Sequence, residues 1–500
     1  PNDSAAQWLM AFWPALLLAR SERLAWWLRG LLAGGAVLLA DVALLSQSRG
    51  SLYATPVMLV LVFALIPART RTFALLVPVA AGVVAASPAV LRVGDHLRAG
   101  AVVASTSHHA IVATFLAASV VGVVVAVGAL VENRLAPSTT RAGTVHRALA
   151  ATGLATLALV MVGGAVAVGN PVSRLEHAWH TFKVGYAANS QTGSRLVSGL
   201  GSNRYDFYRV ALDEFLAHPV LGIGVDNFQE QYLQHGRSTE TPHYPHSVEL
   251  RTLVQTGIVG SLLALVGLGA ALWAAARALR LADPLARSVT AAALAGFAYW
   301  VIHGSFDWFW EYAGLGAPAF ALLGLACALA PARPVASARA LGRRPAIALA
   351  ALLALAAACS LTAPWLSQLE IQSAAHVWTR APRAAYARLD DAARLDPLGD
   401  EASLVAGSIA LRYGELARAD RDFAQALQRS PDDAYAALEL GAIASARGHR
   451  SAALGLLERA ARLSPREVLT REALGLVRAG RPVNIQLLNR AILLKAQELA

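Results

Sequence analysis

Charge is the first shortage. Only 15% of the 500 residues are Asp, Glu, Lys or Arg, against about 25% in ordinary soluble chains. Lysine is almost missing: Lys183 and Lys495 stand against 41 arginines. With the abundant alanine, this points to a G+C-rich bacterial genome. There are two cysteines, Cys327 and Cys359, both in apolar runs. A disulfide or metal framework is not expected, and the redox compartment stays open. No signal-peptide pattern opens the chain. The long Ala/Leu/Val runs do not alternate as the ten-residue strands of an outer-membrane barrel do. What is abundant is apolar: 56% of residues fall in the set AVILMFWYC and the mean hydropathy is +0.48. An ordinary soluble domain and a disordered chain are both excluded.

The shortage of charge is uneven. Residues 1–369 hold 25 basic and 16 acidic residues, about 11% charged, while residues 370–500 hold 18 and 16, about 26%. The first part therefore reads as a membrane domain and the second as a water-facing one. Most of the net charge of +11 lies in the first part, where it reports membrane orientation rather than nucleic-acid binding. No nucleic-acid partner is expected.

A spanning helix needs about 20 apolar residues. Ten runs qualify, at 8–19, 28–46, 52–67, 72–91, 110–131, 148–169, 252–275, 289–305, 313–330 and 346–366. The expected fold is all-α: a polytopic helical membrane protein followed by an α-solenoid. The expected domains are 1–169, N-terminal transmembrane helices; 170–251, an extracytoplasmic loop; 252–369, C-terminal transmembrane helices; and 370–500, a repeat domain. One set of short loops carries fifteen arginines and the alternating set carries Arg49, Arg92 and Arg98. The first set is expected in the cytoplasm. Parity then places 170–251, the repeats and residue 1 outside, which leads us to expect an odd number of spans upstream.

The C-terminal region repeats. Pro397, Pro431 and Pro465 are 34 apart, as are Gly407, Gly441 and Gly475. Ala419, Ala426, Ala453 and Ala460 recur where two helices of a hairpin must approach closely. This period resembles tetratricopeptide repeats, although their usual aromatic positions are mostly Ala here. Such hairpins stack into a solenoid with a concave binding face. The other reading is a generic helical spacer.

The loop 170–251 is far longer than the usual connection of about 4–6 residues. Asn203 can cap a helix through RYDFYRVALDEFLAHP, with Val210, Leu212, Phe215 and Leu216 on its apolar side. LGIGVDNF then turns the chain. Gly222 and Gly224 lack a third glycine and a strand–helix context, so a dinucleotide site is not expected. His243 and His246 lead into the next span.

SQSRG (46–50), NRYDFYRVALDEFLAHPVLGIGVDNF (203–228), PHSVELRTLVQTGIVG (245–260) and HGSFDWFW (303–310) resemble the O-antigen ligase / O-antigen polymerase superfamily over roughly residues 28–330. The family usually has Asn after the loop histidine; here it is Ser247. The resemblance implies a polytopic glycosyltransferase at the outer face of the inner membrane. Its donor would be an undecaprenyl-diphosphate-linked glycan, its acceptor a glycan, lipid or protein, and it would need no metal and no cofactor.

The residues support such chemistry. Arginine's fixed fork suits the oxygens of a lipid diphosphate, and neutralising a leaving diphosphate lowers the barrier. The acceptor hydroxyl needs a base near neutral pH, for which histidine is suited. Arg49 is the first candidate clamp, at an outer helix end where positive charge is disfavoured; the alternative is an arginine snorkelling to headgroups. Arg204 is the second, at a helix start that also favours anions; the alternative is a solvated loop charge. Arg209 lies off that face. His246 is the candidate base, with a plain structural histidine as the alternative. His243 and Tyr244 read as wall residues. Glu249 either orients His246 or is an ordinary helix-start carboxylate. His303 and Asp307 share a helix face and can be functional at that depth, whereas an aromatic belt explains Trp308 and Trp310. Asp41, deep in a span, is expected to pair with an Arg or line a cavity.

Three function classes follow. The leading one is a membrane glycosyltransferase whose repeats dock an acceptor or an assembly partner. The second is a transporter or flippase, but paired broken spans in matching halves are not evident. The third is a non-catalytic scaffold, which would need neither Arg49 nor His246.

Overall fold

The computed structural model describes residues 2–66, 69–134, 171–185, 202–238, 240–281, 283–330 and 343–499. The expected span at 148–169 lies outside them. The described residues form helices and no strands. They divide into two units: Pro1–Phe228 with Pro242–Arg333, and Gln229–Thr241 with Pro334–Ala500.

In the first unit the chain runs through α1 (Asn2–Ala19), α2 (Trp26–Leu45), α3 (Arg49–Leu65), α4 (Arg69–Arg98), α5 (Ala104–Arg134), α6 (Pro171–Val184) and α7 (Arg204–Ala217). Past α8 (Phe228–His235) follow α9 (Val248–Leu281), α10 (Pro284–Gly304) and α11 (Ala313–Ala328). Six helices of the described residues are long and apolar enough to cross a membrane: α2, α4, α5, α9, α10 and Ile347–Val377 of the second unit. α3 and α11 are apolar but shorter, and α1 is not among the six.

Small residues set the packing. The helices α2 and α5 cross so closely that a Cβ at Gly30 would stand 2.5 Å from the Gly122 carbonyl oxygen. One at Gly34 would stand 2.6 Å from that of Ala118. Such crossings are how helices associate where lipid removes the hydrophobic drive between them. α1 packs between α2 and α10, burying Trp13, Leu16 and Leu17 at the centre of the core with Trp300 and Tyr299. Asp41 is buried where α2 meets α5, beside Thr114 rather than an arginine. At the end of these helices away from Arg49, Arg29 and Arg71 both reach Glu132 at 3.0 Å, and Arg71 also pairs with Glu22. Arginines from two of the loops expected to share one side thus do meet.

The ladder of α9 is broken at Gly257, with φ 61° and ψ −163°, a region open essentially only to glycine. The freed groups bond to the segment after α7: Ile223 N to Val254 O at 2.8 Å, Gly224 N to Gln255 O at 3.1 Å and Ile258 N to Pro219 O at 2.9 Å. A Cβ at Gly222 would stand 2.5 Å from the Gln255 carbonyl carbon, and one at Gly257 2.5 Å from that of Val220. The two glycines therefore serve a backbone-to-backbone splice. Irregular backbone in a spanning helix persists only where such partners satisfy it.

The second unit contains α12 (Arg343–Val377), α13 (Pro382–Leu395), α14 (Glu401–Arg412), α15 (Leu416–Arg429), α16 (Ala434–Ala446), α17 (Arg450–Leu463), α18 (Val468–Arg478) and α19 (Ile485–Leu499). Neighbours pack in sequence, most closely as the pairs α12–α13, α14–α15 and α16–α17. Ala419, Ala426, Ala453 and Ala460 are fully buried. A Cβ at Gly407 would meet the Phe423 ring at 2.9 Å and one at Gly441 would meet Leu457 at 2.7 Å, but one at Gly475 would meet nothing. The glycine period thus has a packing cause in two of its three copies.

Candidate active site

The site is built from three stretches far apart in sequence. α7 begins at Asn203, whose carbonyl accepts from Asp206 N and Phe207 N. Its side chain makes no capping bond, contrary to expectation. The buried face of α7 is Phe207, Val210, Ala211 and Glu214, at i, i+3, i+4 and i+7 spacing. Of the residues expected on the apolar side, Val210 is buried and Phe215 half-buried, but Leu212 and Leu216 are exposed, and Phe207 and Ala211 face the protein in their place.

Arg204 opens this helix, and its Nη2 lies 3.3 Å from Asp307 Oδ2. Asp307 is 1% exposed; its Oδ1 accepts from Trp308 N at 2.9 Å, and Asn2 donates to its Oδ2. A buried carboxylate needs this many partners to remain an anion. His303, fully buried in the last turn of α10, has Nδ1 3.1 Å from the Tyr299 hydroxyl; Asp307 lies past the end of that helix, so the two meet without sharing the helix face expected of them. His303 Nε2 has no hydrogen-bond partner among the described residues and faces Gly50: a Cβ there would stand 2.9 Å from His303 Cδ2. Only a glycine after Arg49 lets α3 start against the His303–Asp307 pair.

Arg49 is the first residue of α3, which Ser48 caps by accepting from Ser51 N at 3.3 Å. Tyr53, one turn on, lies within electrostatic reach of both Arg49 and Arg204. Just before α3, Gln47 is held at φ 48°.

His246 also has a left-handed backbone, φ 55°. A non-glycine residue there costs about 1–3 kcal/mol and persists only where its surroundings enforce it. The enforcement is visible. Tyr208 donates to its carbonyl at 3.2 Å, and its ring lies 5.2 Å from Phe207 and 6.2 Å from Trp308. Nδ1 is 3.1 Å from Tyr244 O, so Nδ1 carries the hydrogen and Nε2 keeps a lone pair. Burial, and then the neighbouring Arg204 guanidinium, push the imidazole down to about 4 against the opposing pull of Asp307. It is neutral at pH 7.

Glu249 does not orient His246. Its carboxylate accepts from Ser247 at 2.8 Å and from Ser305 at 2.5 Å, tying the start of α9 to the end of α10. Ser247, with its carbonyl accepting from Arg251 N, begins α9. Arg209 is held by Asp206 at 2.9 Å and Asp213 at 3.0 Å on its own helix. Tyr244 lies under the Arg251 guanidinium, 3.9 Å from its ring centroid. His243 stacks beside it at 6.1 Å. Trp308 packs on His246 and Tyr312, while Trp310 stacks on Trp300 at 4.3 Å; both rings remain more than a third exposed. Arg49, Arg204, His246, His303, Asp307 and Glu249 are thus gathered around one place. Among the described residues no cluster of three His, Cys, Asp or Glu is arranged to hold a metal ion. The sequence reading missed Asn2, Tyr208 and Ser305. Tyr208 was findable, four residues from Arg204 on one face; nothing in sequence links Asn2 or Ser305 to the rest.

Residues 96–265 match the O-antigen ligase family model. This O-antigen-ligase-like stretch carries Arg204, Tyr208, His246 and Glu249, whereas Arg49, His303 and Asp307 lie outside it. The match supports a membrane protein with ligase-like glycosyltransferase activity. No curated protein matches the chain.

Proposed function

We propose that the protein transfers or polymerises glycan from an undecaprenyl-diphosphate-linked donor onto an acceptor hydroxyl at the outer face of a bacterial inner membrane. In this reading the chain crosses the membrane ten times within the sequence given, and loop 170–251 and the tetratricopeptide-like repeats face outward. The observation that carries it is the meeting of Arg204, Asp307 and a neutral His246 beside the Arg49–Gly50 helix start. Arg204 and Arg49 supply two fixed positive forks for a diphosphate. Asp307 aims Arg204 before the donor arrives, so little reorganisation is needed during reaction. His246 Nε2 takes the proton of the acceptor hydroxyl as that oxygen attacks the anomeric carbon. The carbon–oxygen bond to the diphosphate breaks, and the lipid diphosphate leaves with the bond electrons against the arginines. No metal is required in this scheme.

The test is transfer from a lipid-diphosphate donor by the purified full chain in detergent, with Arg49→Ala, Arg204→Ala and His246→Ala made singly. Each is expected to lose about 10²–10⁴-fold, the usual range for a charge clamp or a positioned base. Wild-type rates in all three sink the mechanism.

A further inference from the structure

The second unit takes in a piece of the loop, Gln229–Thr241, that is flanked on both sides by residues of the first. We infer that the repeat region grips this segment of its own chain through Arg466, and that the grip positions the loop carrying His246.

Arg466 sits in the turn between α17 and α18. Its Nε donates to Ser238 O at 2.8 Å, and its Nη2 donates to Tyr232 O at 3.0 Å and Leu233 O at 2.8 Å. Its Nη1 donates to Gly236 O. One planar guanidinium thus serves four carbonyls in and just past the last turn of α8. The final carbonyls of a helix lack intrahelical partners, and a cation there also suits the helix dipole. The segment is shaped for the fork: Gly236 lies on the Tyr232 ring, and the Tyr232 hydroxyl closes on Ser238 Oγ at 2.7 Å.

The other end of α8 meets the opposite charge. Glu230 lies within electrostatic reach of Asp400, Asp432 and Asp433, which stand in the turns before α14 and α16. Asp432 and Arg466 are 34 residues apart, so they occupy the same place in successive copies of the period. A row of equivalent turns therefore runs from acidic to basic along α8, carboxylates at its N-terminal end and guanidinium at its C-terminal end. The helix dipole favours the guanidinium at the C-terminal end, whereas the carboxylates at the other end face the like charge of Glu230 and oppose its ionisation. Elsewhere in the unit the same arginine-to-carbonyl bond links one copy to the next: Arg429 to Gly399 O at 2.8 Å and Arg450 to Arg478 O at 2.8 Å. Arg466 turns it on the loop instead.

The positioning half of the inference rests on the proposed role of His246, which follows the clamped segment directly in sequence; the grip itself does not. The experiment is Arg466→Ala and Arg466→Lys in the full chain, read by backbone hydrogen exchange and by transfer kinetics. Alanine is expected to raise exchange at least tenfold across 232–238 while leaving 434–463 as in the wild type. kcat should fall about tenfold or more with little change in donor KM, because the arginines still bind. Lysine, a point donor without the fork, should recover only part of either. Unchanged exchange at 232–238 overturns the grip. Raised exchange with wild-type kcat overturns the positioning. Absence of transfer by the wild-type chain itself counts against the proposed function, and the exchange result still decides the grip.

Discussion

His246 is a weak base in a place that needs one, and its surroundings say why that is workable. Burial and Arg204 hold it neutral, pushed down to about 4, so it is ready to accept at any pH above that value. A bound diphosphate brings negative charge and stabilises the imidazolium. The acid limb of kcat/KM, which reports the free enzyme, should therefore bend near pH 4 rather than 6.5. The limb of kcat, which reports the donor complex, should lie higher. A pH profile of both constants checks this; a shared limb near 6.5 would mean that His246 is solvated and uncoupled from Arg204. Sequence alone could name the histidine but not its charge state, because that depends on which groups lie beside it and how much water they exclude.

At the scale of elements the splice between α9 and the segment after α7 is the distinctive device. Replacing Gly257 by Ala forces a side chain into a glycine-only region and against the Val220 backbone. Replacing Gly222 by Ala does the same against Gln255. Each is expected to cost about 1–3 kcal/mol from strain, with the clash in addition. The measurements are thermal stability in detergent and loss of transfer. By contrast Gly475→Ala, which meets open space, should be neutral or slightly stabilising. The repeat helices carry a second readable element. Glu439 is fully buried in α16 beside Tyr435 and Asn489, and burial pushes its carboxyl up to about 7 from 4.5. The folded state therefore holds a proton that the unfolded chain releases. That contribution is complete below pH 4.5 and lost as pH rises through about 7. Glu439→Gln should raise the melting temperature of this region by several degrees at pH 8 and little at pH 4.5. Equal shifts at both pH values would place the carboxylate in water.

For the whole molecule, the proposed function needs 170–251 outside, the side that the arginine bias favours. A cysteine replacing Ser190, in a chain lacking Cys327 and Cys359, should react with a membrane-impermeant thiol reagent in intact cells. Protection until the cells are lysed would reverse the orientation and remove the site from the compartment the proposed donor requires.

Composition and period decided much by themselves. Long apolar runs have few ways to satisfy their backbone in lipid other than as helices, so the all-helical fold and its membrane part were legible from hydropathy. The 34-residue spacing set where hairpins fall, since a repeated face must bury itself on its neighbour. Arg49, Arg204 and His246 could be named from local motifs. Sequence could not show that Asp307, read as sharing a helix face with His303, would aim Arg204, or that Glu249 would bond two serines rather than the histidine. Nor could it show that Arg466 would reach back some 230 positions to close the end of α8. Those pairings are long-range and depend on which backbones pass close enough to touch. Periodicity registers a face and never its partner, so only packing in three dimensions settled them.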